Sequence, residues 1–528
     1  YEVAGYGPGT VELVEGHGTG TTAGDAAEFK GLCLAFGEAE REDTQWCSLG
    51  SVKSQIGHTK AAAGAAGLFK AVMALHHKVL PPTIKITEPN PKLELEKSPF
   101  NLNLRPRPWV RSDDHPRRAS VSSFGFGGSN YHIALEEYVG DAPSAWRSRT
   151  AGTEMLTYSA TSPSELASLL RGIEVKGDRC FSYLARTSQT ETDSTLPARV
   201  AILAEDDVDL GLKLTQAAAL IETTGEGSAS TPTGIYYGFG QTAGDVGFLF
   251  PGQGSQYLDM GAGLAMEWKA AQAPWDVAAN IEMDANTKLH DVVFPMSVFT
   301  DEAKKAQAAN LVATEWAQPA IGVTSLSQLS LLNQIGVKPA SVAGHSFGEV
   351  TALHAAGVID QASMIRVARR RGELMRDAAA TPGSMIAVVA TIERVRELLP
   401  KESRVVVANH NAPEQIVLSG KTEAVNDVAK LFKEAGLKVR PLQVATAFHS
   451  EVVSDSVKPF ADFLKSVKVK KPTLPVYACS EAAPYPAQLT KIRAMLAGQI
   501  AKPVRFVEQV EAMYDAGVRT FVEVGPGN

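Results

Sequence analysis

Residues Ser341–Val350 read SVAGHSFGEV, and the pattern Gly344-x-Ser346-x-Gly348 within them decides what surrounds them. Two glycines flanking a serine allow the tight, strained turn from a strand into a helix that lifts a hydroxyl above a sheet. The preceding VKPASVAGHS has the composition of a buried strand, and EVTALHAAGVI after it is amphipathic. The helix N-terminus then faces the reacting carbonyl, and the Phe347 N–H supplies half of an oxyanion hole. A chance Gly-Ser turn would fit so short a pattern, but not the strand and helix on either side. A serine nucleophile needs a base. Of eleven histidines, His449 stands out at the end of the apolar run in VATAFHSEVV, whereas His345 leaves the turn in another direction from its neighbour; a lone His after an apolar strand is more often structural, so the residues alone leave the base open.

Outward from that turn, apolar strand-like runs (VGFLF, VVVAN, QIVLSG, FVEVG) alternate with helical ones (AKLFKEAGL, VEQVEAMYDAG) from Val246 onward, the signature of an α/β domain. The chain has 528 residues, so it holds two to four domains. Hydrophobic content of 44% and charged content of 21% are those of a globular protein. A net charge of −7 argues against nucleic acid or an anionic membrane as the main partner. Cys33, Cys47, Cys180 and Cys479 form no CxxC pair, so neither a disulfide framework nor a metal site is expected, in keeping with a reducing, cytoplasmic compartment. The most apolar stretch, 61–77, is interrupted by Lys70 and too short for a membrane span, and a buried helix is expected there. The sequence opens mid-phrase, without an initiator Met or signal peptide, and reads as a fragment of something larger.

Five ordered motifs, FLFPGQGSQ, GHSFGE, RRRGELM, AFHS and EVGPG, resemble the malonyl-CoA:acyl-carrier-protein transacylase family over 246–528. That resemblance implies ping-pong transfer. Ser346 is the nucleophile, His449 the general base, and the N–H groups of Gln253 and Phe347 the oxyanion hole. The substrate is malonyl-CoA, and an acyl carrier protein supplies the phosphopantetheine thiol that resolves the acyl-serine; no bound cofactor is implied. In the family a backbone carbonyl rather than an Asp orients the His, and Gln499 matches that position. Arg371 matches the arginine that clamps the free malonyl carboxylate, a planar two-pronged donor that rejects neutral acyl chains; only the resemblance selects it from Arg369 and Arg370. Asn411 either shapes the site or serves a loop turn. Malonyl-specific members commonly carry HAFH and methylmalonyl-specific ones YASH; this chain has TAFH, keeping the bulky Phe448 and replacing the first His by Thr446.

Residues 1–137 resemble the C-terminal half of a β-ketoacyl synthase, through VEGHGTGTTAGD, SVKSQIGHTKAAAG and SSFGFGGSNYH. By that resemblance His17 and His58 are catalytic histidines, Lys53 is the accompanying lysine with Asp25 and Glu28 as charge partners, and Phe126 is a gate. Nothing matches the family's nucleophilic cysteine, so the condensing site is incomplete. Lys60 and the run ALHHKVLPPTIKITEPNPKL are most similar to polyunsaturated-fatty-acid synthases and related iterative polyketide systems.

The expected architecture is a multidomain α/β chain. It comprises a partial thiolase-like ketosynthase (1–137), an α/β linker domain (138–243) and an α/β-hydrolase-like acyltransferase core (244–528) with a ferredoxin-like subdomain inserted at about 384–444. The expected partners are the carrier protein and the remaining domains of a megasynthase, with a homodimer possible through the ketosynthase. Two other readings stand beside this one: a serine hydrolase, which needs an acidic triad member, and an inactive carrier-docking scaffold.

Overall fold

The computed structural model describes residues 1–527 except 40, 126, 142–151, 177–179, 242–243, 285–286, 380–381 and 443–445. Phe126 and the expected subdomain end at 444 therefore lie outside the described residues. The chain divides into two compact units, one made of Tyr1–Ser144 with Asp245–Asn528, the other of Ala145–Gly244.

In the first unit, the apolar runs picked out by the GxSxG reading form a sheet ordered Ala483–Pro484, Val476–Ala478, Ser341–Gly344, Asp245–Phe250, Val518–Glu523. The four longer strands run parallel. Such strands are buried on both faces, which is why Phe248, Phe250, Val342 and Ala343 are at most 1% exposed and the runs lack polar alternation. The first fourteen residues of the helix Thr314–Gln334 are all buried, polar Gln318 and Ser325 among them, so this helix runs through the middle of a large core.

Gly383–Val389, Ile392–Leu398, Val406–Ala412, Gln415–Lys421, Thr422–Glu434 and Lys438–Pro441 follow as strand, helix, two strands, helix, strand. Their antiparallel order, last strand next to first, then third, then second, is that of a ferredoxin-like subdomain. A fifth strand, Val504–Arg505, joins its edge in parallel from the larger core. That strand is two residues long, too short to leave a period in the sequence.

The N-terminal part of this unit is a sheet ordered Phe100–Leu102, Cys47–Gly50, Leu13–Glu15, Arg118–Phe124, Asn130–Glu136, parallel except for its last pair. The apolar stretch at 61–77 forms the helix Ala63–His77, but the expectation of a buried helix holds for one face only. Gly67, Ala71, Ala74 and Leu75 pack inward while Phe69 is 68% exposed. Small residues let that one face lie close to strand Arg118–Phe124, and mean hydropathy does not reveal which face does so.

The second unit is a four-stranded antiparallel sheet, Ser228–Thr231, Ile235–Phe239, Ala198–Ala204, Glu154–Ala160, carrying the helices Pro163–Arg171, Cys180–Glu191 and Asp207–Thr224. It has its own apolar core around Leu156, Ile202 and Leu214.

Candidate active site

The turn that carries Ser346 is built by close backbone packing. His345 N–H donates to the Phe250 carbonyl at 2.9 Å, tying the turn to the neighbouring strand. A Cβ at Gly344 would lie 2.0 Å from the carbonyl carbon of Gly348, and one at Gly348 would lie 2.0 Å from the Phe250 oxygen, so neither site admits a side chain. Between them Ser346 takes φ 50°, a left-handed conformation that non-glycine residues adopt at a cost of about 1–3 kcal/mol. Helix Gly348–Ala355 starts immediately after, with the Phe347 ring packed into the core and its amide at the helix N-terminus. A Cβ at Gly252 would sit 2.5 Å from the His345 oxygen, so the loop carrying Gln253 lies directly against the turn. The Gln253 side chain donates to the Val312 carbonyl at 3.4 Å.

Ser346 Oγ lies 2.8 Å from His449 Nε2, and His449 Nδ1 lies 2.8 Å from the Lys502 carbonyl oxygen. A carbonyl can only accept, so Nδ1 carries the hydrogen and Nε2 is left to take the serine proton. The residue expected to orient the His was Gln499. The carbonyl at 2.8 Å is that of Lys502, three residues on, where the short 3-10 turn Gln499–Ala501 ends, and the Gln499 backbone supports the ring beside it. Gln499 uses its side chain: Nε2 donates to the Ser346 carbonyl at 2.7 Å and Oε1 accepts from Arg371 at 3.0 Å. Burial, reinforced by Arg371 and His345, pushes the His449 imidazole down to about 3, so it is neutral at physiological pH. The partner on Nδ1 being a carbonyl removes the acidic member that a hydrolase triad requires.

Geometry separates the three adjacent arginines. Arg369 pairs with Glu373 at 2.8 Å and stacks over Trp316, and Arg370 pairs with the same Glu373 at 3.0 Å. Arg371 is fully buried; it donates to Gln318 Oε1 at 2.9 Å, Gln499 Oε1 at 3.0 Å and Met375 Sδ at 3.3 Å, and approaches Ser346 Oγ at 3.4 Å. Among the described residues none of these contacts is a carboxylate. Burial lowers its pKa to about 10, which leaves it charged. Asn411 Oδ1 lies 2.8 Å from His345 Nε2, so its side chain fixes the ring of the residue preceding the serine, which favours a shaping role over a mere turn. Phe448 is 8% exposed and belongs to the large core. Sequence reasoning missed Gln318 and Lys502, the first hidden inside a buried helix and the second acting through its backbone.

In the N-terminal sheet, the rings of His17 and His58 stand edge to face with centroids 5.5 Å apart. They line a cavity of about 530 Å³ with Gly64, Phe124 and Tyr131. The Glu28 carboxylate accepts from the His17 and Gly18 amides at 2.6 and 2.8 Å. Burial pushes Lys53 down, and Glu15 and Glu28 pull it back. Glu15 is itself paired with Lys70 at 2.8 Å, and the Asp25 carboxylate accepts from the Gly20 amide at 3.1 Å and acts on His17. Among the described residues no cluster of His, Cys, Asp or Glu could hold a metal ion, and no helix is long and apolar enough to cross a membrane.

The acyl transferase domain family matches residues 247–527, more than half the chain. The chain belongs to the acyltransferase family. In this acyltransferase the C-terminal domain of β-ketoacyl synthase matches residues 1–87, and the C-terminal extension of ketoacyl synthetases matches 89–202. A polyunsaturated fatty acid synthase polypeptide from Thraustochytrium sp. is 33% identical over all of this chain and 20% of its own length. A phenolphthiocerol/phthiocerol polyketide synthase polypeptide from Mycobacterium tuberculosis is 32% identical over all of this chain and 35% of its own. The acyltransferase thus spans only about a fifth to a third of the length of these relatives. The solved acyltransferase domain of the iterative polyketide synthase in enediyne biosynthesis is 25% identical, with a TM-score of 0.54 over 71% of this chain and 86% of that one. The chain is therefore a ketosynthase C-terminal–acyltransferase segment of the kind found in megasynthases, and neither a hydrolase nor a scaffold is favoured.

Proposed function

We propose that the acyltransferase moves a malonyl group from malonyl-CoA through an acyl-serine to the phosphopantetheine thiol of an acyl carrier protein. Ser346 Oγ attacks the thioester carbonyl while neutral His449 takes its proton at Nε2, and the imidazolium then protonates the departing CoA thiolate. The incoming carrier thiol repeats the steps in reverse. The amides of Phe347 and Gln253 receive the oxyanion. The observation that carries the reading is Arg371: a fully buried guanidinium with no carboxylate partner among the described residues, 3.4 Å from the nucleophile. A buried cation with only neutral partners favours an acyl group that brings its own anion. Phe448 then crowds an α-methyl group, so malonyl is preferred over methylmalonyl, though one methyl is worth only about 1–3 kcal/mol.

The native setting is a cytoplasmic megasynthase whose other domains and carrier protein are the partners, dimeric through its ketosynthase. His17, His58 and Lys53 are that ketosynthase's decarboxylation groups, but without a matching cysteine this polypeptide alone forms no carbon–carbon bond. Intact mass after exposure to malonyl-CoA tests the reading. A malonyl adduct is expected on the wild-type protein and none on folded Ser346→Ala; an adduct on the variant moves the nucleophile elsewhere.

A further inference from the structure

Beneath Ser346 lies a buried carboxylate that the transfer chemistry leaves unused. Glu349, on the first turn of the helix that follows the nucleophile, is fully buried. One oxygen accepts from the Cys479 amide at 2.6 Å and the other accepts from the Tyr485 hydroxyl. Both donors sit on one small hairpin at the sheet edge, strands Val476–Ala478 and Ala483–Pro484, which is pinned by Tyr485 N–H to the Val476 carbonyl at 2.8 Å and by Arg505 N–H to the Cys479 carbonyl at 2.8 Å. The same Cys479 presents its sulfur to Gln499 Nε2 at 3.3 Å, and Gln499 Oε1 receives Arg371.

Glu349 N–H donates to the Ser346 carbonyl at 3.1 Å, the oxygen that Gln499 Nε2 also reaches, so the Gln499 amide bridges that helix turn to Arg371, and no ion pair joins Glu349 to Arg371 among the described residues. Burial pushes the Glu349 carboxyl up, while the Cys479 and Tyr485 donors and then Arg371 pull it back. Arg371 Nε is buried and has no hydrogen-bond partner among the described residues. Opposite charges in a low-dielectric interior attract strongly. A Glu349 carboxylate released from that hairpin is drawn toward the arginine and competes with an acyl carboxylate for it. What holds it back is the Tyr485 hydroxyl on one oxygen and the Cys479 amide on the other.

We propose that Tyr485 is a positioning residue for substrate choice: it holds the Glu349 carboxylate off Arg371, so that the guanidinium meets the free carboxylate of the acyl group unpaired. The role rests on the reading of Arg371 as the carboxylate clamp.

The test compares loading of Ser346 from malonyl-CoA and acetyl-CoA by the full chain carrying Tyr485→Phe, Glu349→Gln or both. For Tyr485→Phe, KM for malonyl loading is expected to rise about tenfold with kcat within about threefold, and acetyl loading to hold. Adding Glu349→Gln removes the released charge and returns KM to within about threefold of wild type. A hydroxyl with a merely structural role would lower malonyl and acetyl loading together and gain nothing from the second substitution; either result overturns the proposal. If Tyr485→Phe does not fold, Glu349→Gln alone decides. KM for malonyl is expected to fall, because the substrate becomes the arginine's sole counter-charge, and an unchanged or raised KM overturns the proposal. Arg371→Ala runs alongside: if it leaves the malonyl preference intact, the clamp reading itself fails and the positioning role with it. If Arg371→Ala abolishes the preference while Tyr485→Phe leaves KM unchanged, only the positioning role fails.

Discussion

At the scale of single residues, two groups determine how the site works, and each makes a prediction. On the proposed clamp role, Arg371→Ala removes a desolvated, charge-assisted pair with the acyl carboxylate. Malonyl loading is expected to fall by roughly 30- to 1000-fold, the equivalent of about 2–4 kcal/mol, with acetyl loading relatively spared. Competition between malonyl-, methylmalonyl- and acetyl-CoA for Ser346 checks it, and equal loading by all three would contradict the clamp. His449 predicts a pH profile. An imidazole at its ordinary 6.5 would be only about 3% neutral at pH 5, and the rate would fall with it. Burial, Arg371 and His345 hold this one at about 3, so loading is expected to stay flat from pH 7 to pH 5 in single-turnover measurements. A fall centred near 6.5 would contradict it. The same depression acts on stability with a definite sign. Below 6.5 the unfolded chain binds a proton at His449 that the folded chain refuses, so this residue's contribution destabilises the fold progressively as pH drops toward 3. Ser346 was legible because its glycine-flanked turn is a local pattern, whereas His449 and Arg371 were picked out by the motifs the family resemblance supplies. The carbonyl of Lys502 was not, because every residue has one and only the fold selects which is used.

At the scale of elements, the sharpest feature is the crossing of strand Ser341–Gly344, helix Gly348–Ala355 and strand Asp245–Phe250. Gly344→Ala would place a methyl 2.0 Å from the backbone of Gly348, where no flexible side chain can give way. Loss of Ser346 loading and a destabilisation above about 4 kcal/mol are expected, read from acylation mass and urea unfolding. Gly263 is the control. It lies in the helix Ala262–Glu267, and a methyl there would meet nothing within 4 Å, so Gly263→Ala should leave loading intact and stabilise by about 0.5–1 kcal/mol. Similar losses from both substitutions would contradict the packing argument. The alternation of strands and helices made the α/β core readable, since period and turn residues are local properties, while the inserted subdomain was expected from the family resemblance. Strand Val504–Arg505 and the exposed face of helix Ala63–His77 were not, since each depends on a neighbour distant in sequence.

At the scale of the whole molecule, the segment 104–117 matters more than its sequence suggests. By motif it falls within the ketosynthase region, yet it leaves that sheet to lie on the acyltransferase core, where Val110 is 4% exposed within the larger apolar cluster. Polar bonds fix it along its length: Leu104 N–H to Ser297 Oγ at 3.0 Å, Arg105 to Asp259 at 2.9 Å, and Arg111 N–H to Asp276 at 2.8 Å. Arg117 closes the series. Only 3% of its side chain is exposed, and it donates to Glu137 on one side and, at 3.0 Å, to Asp276 of helix Lys269–Ala279 on the other. Partners 159 positions apart leave no trace in composition or period, so this joint is invisible in the sequence. A buried charge bound to two carboxylates cannot be removed without leaving both short of a donor. Breaking such pairs costs roughly 3–5 kcal/mol, and the lower end applies here because Glu137 retains Lys78 and Asp276 is partly exposed. Arg117→Met should therefore loosen the joint before the site. Hydrogen exchange over 104–117 is expected to speed up by about a hundredfold, while malonyl loading of Ser346 stays near wild type because the serine, histidine and arginine are held by other elements. Unchanged exchange in a folded Arg117→Met protein would mean that apolar packing around Val110 alone holds the segment. Loss of loading in step with the faster exchange would mean that the joint also supports the acyltransferase site.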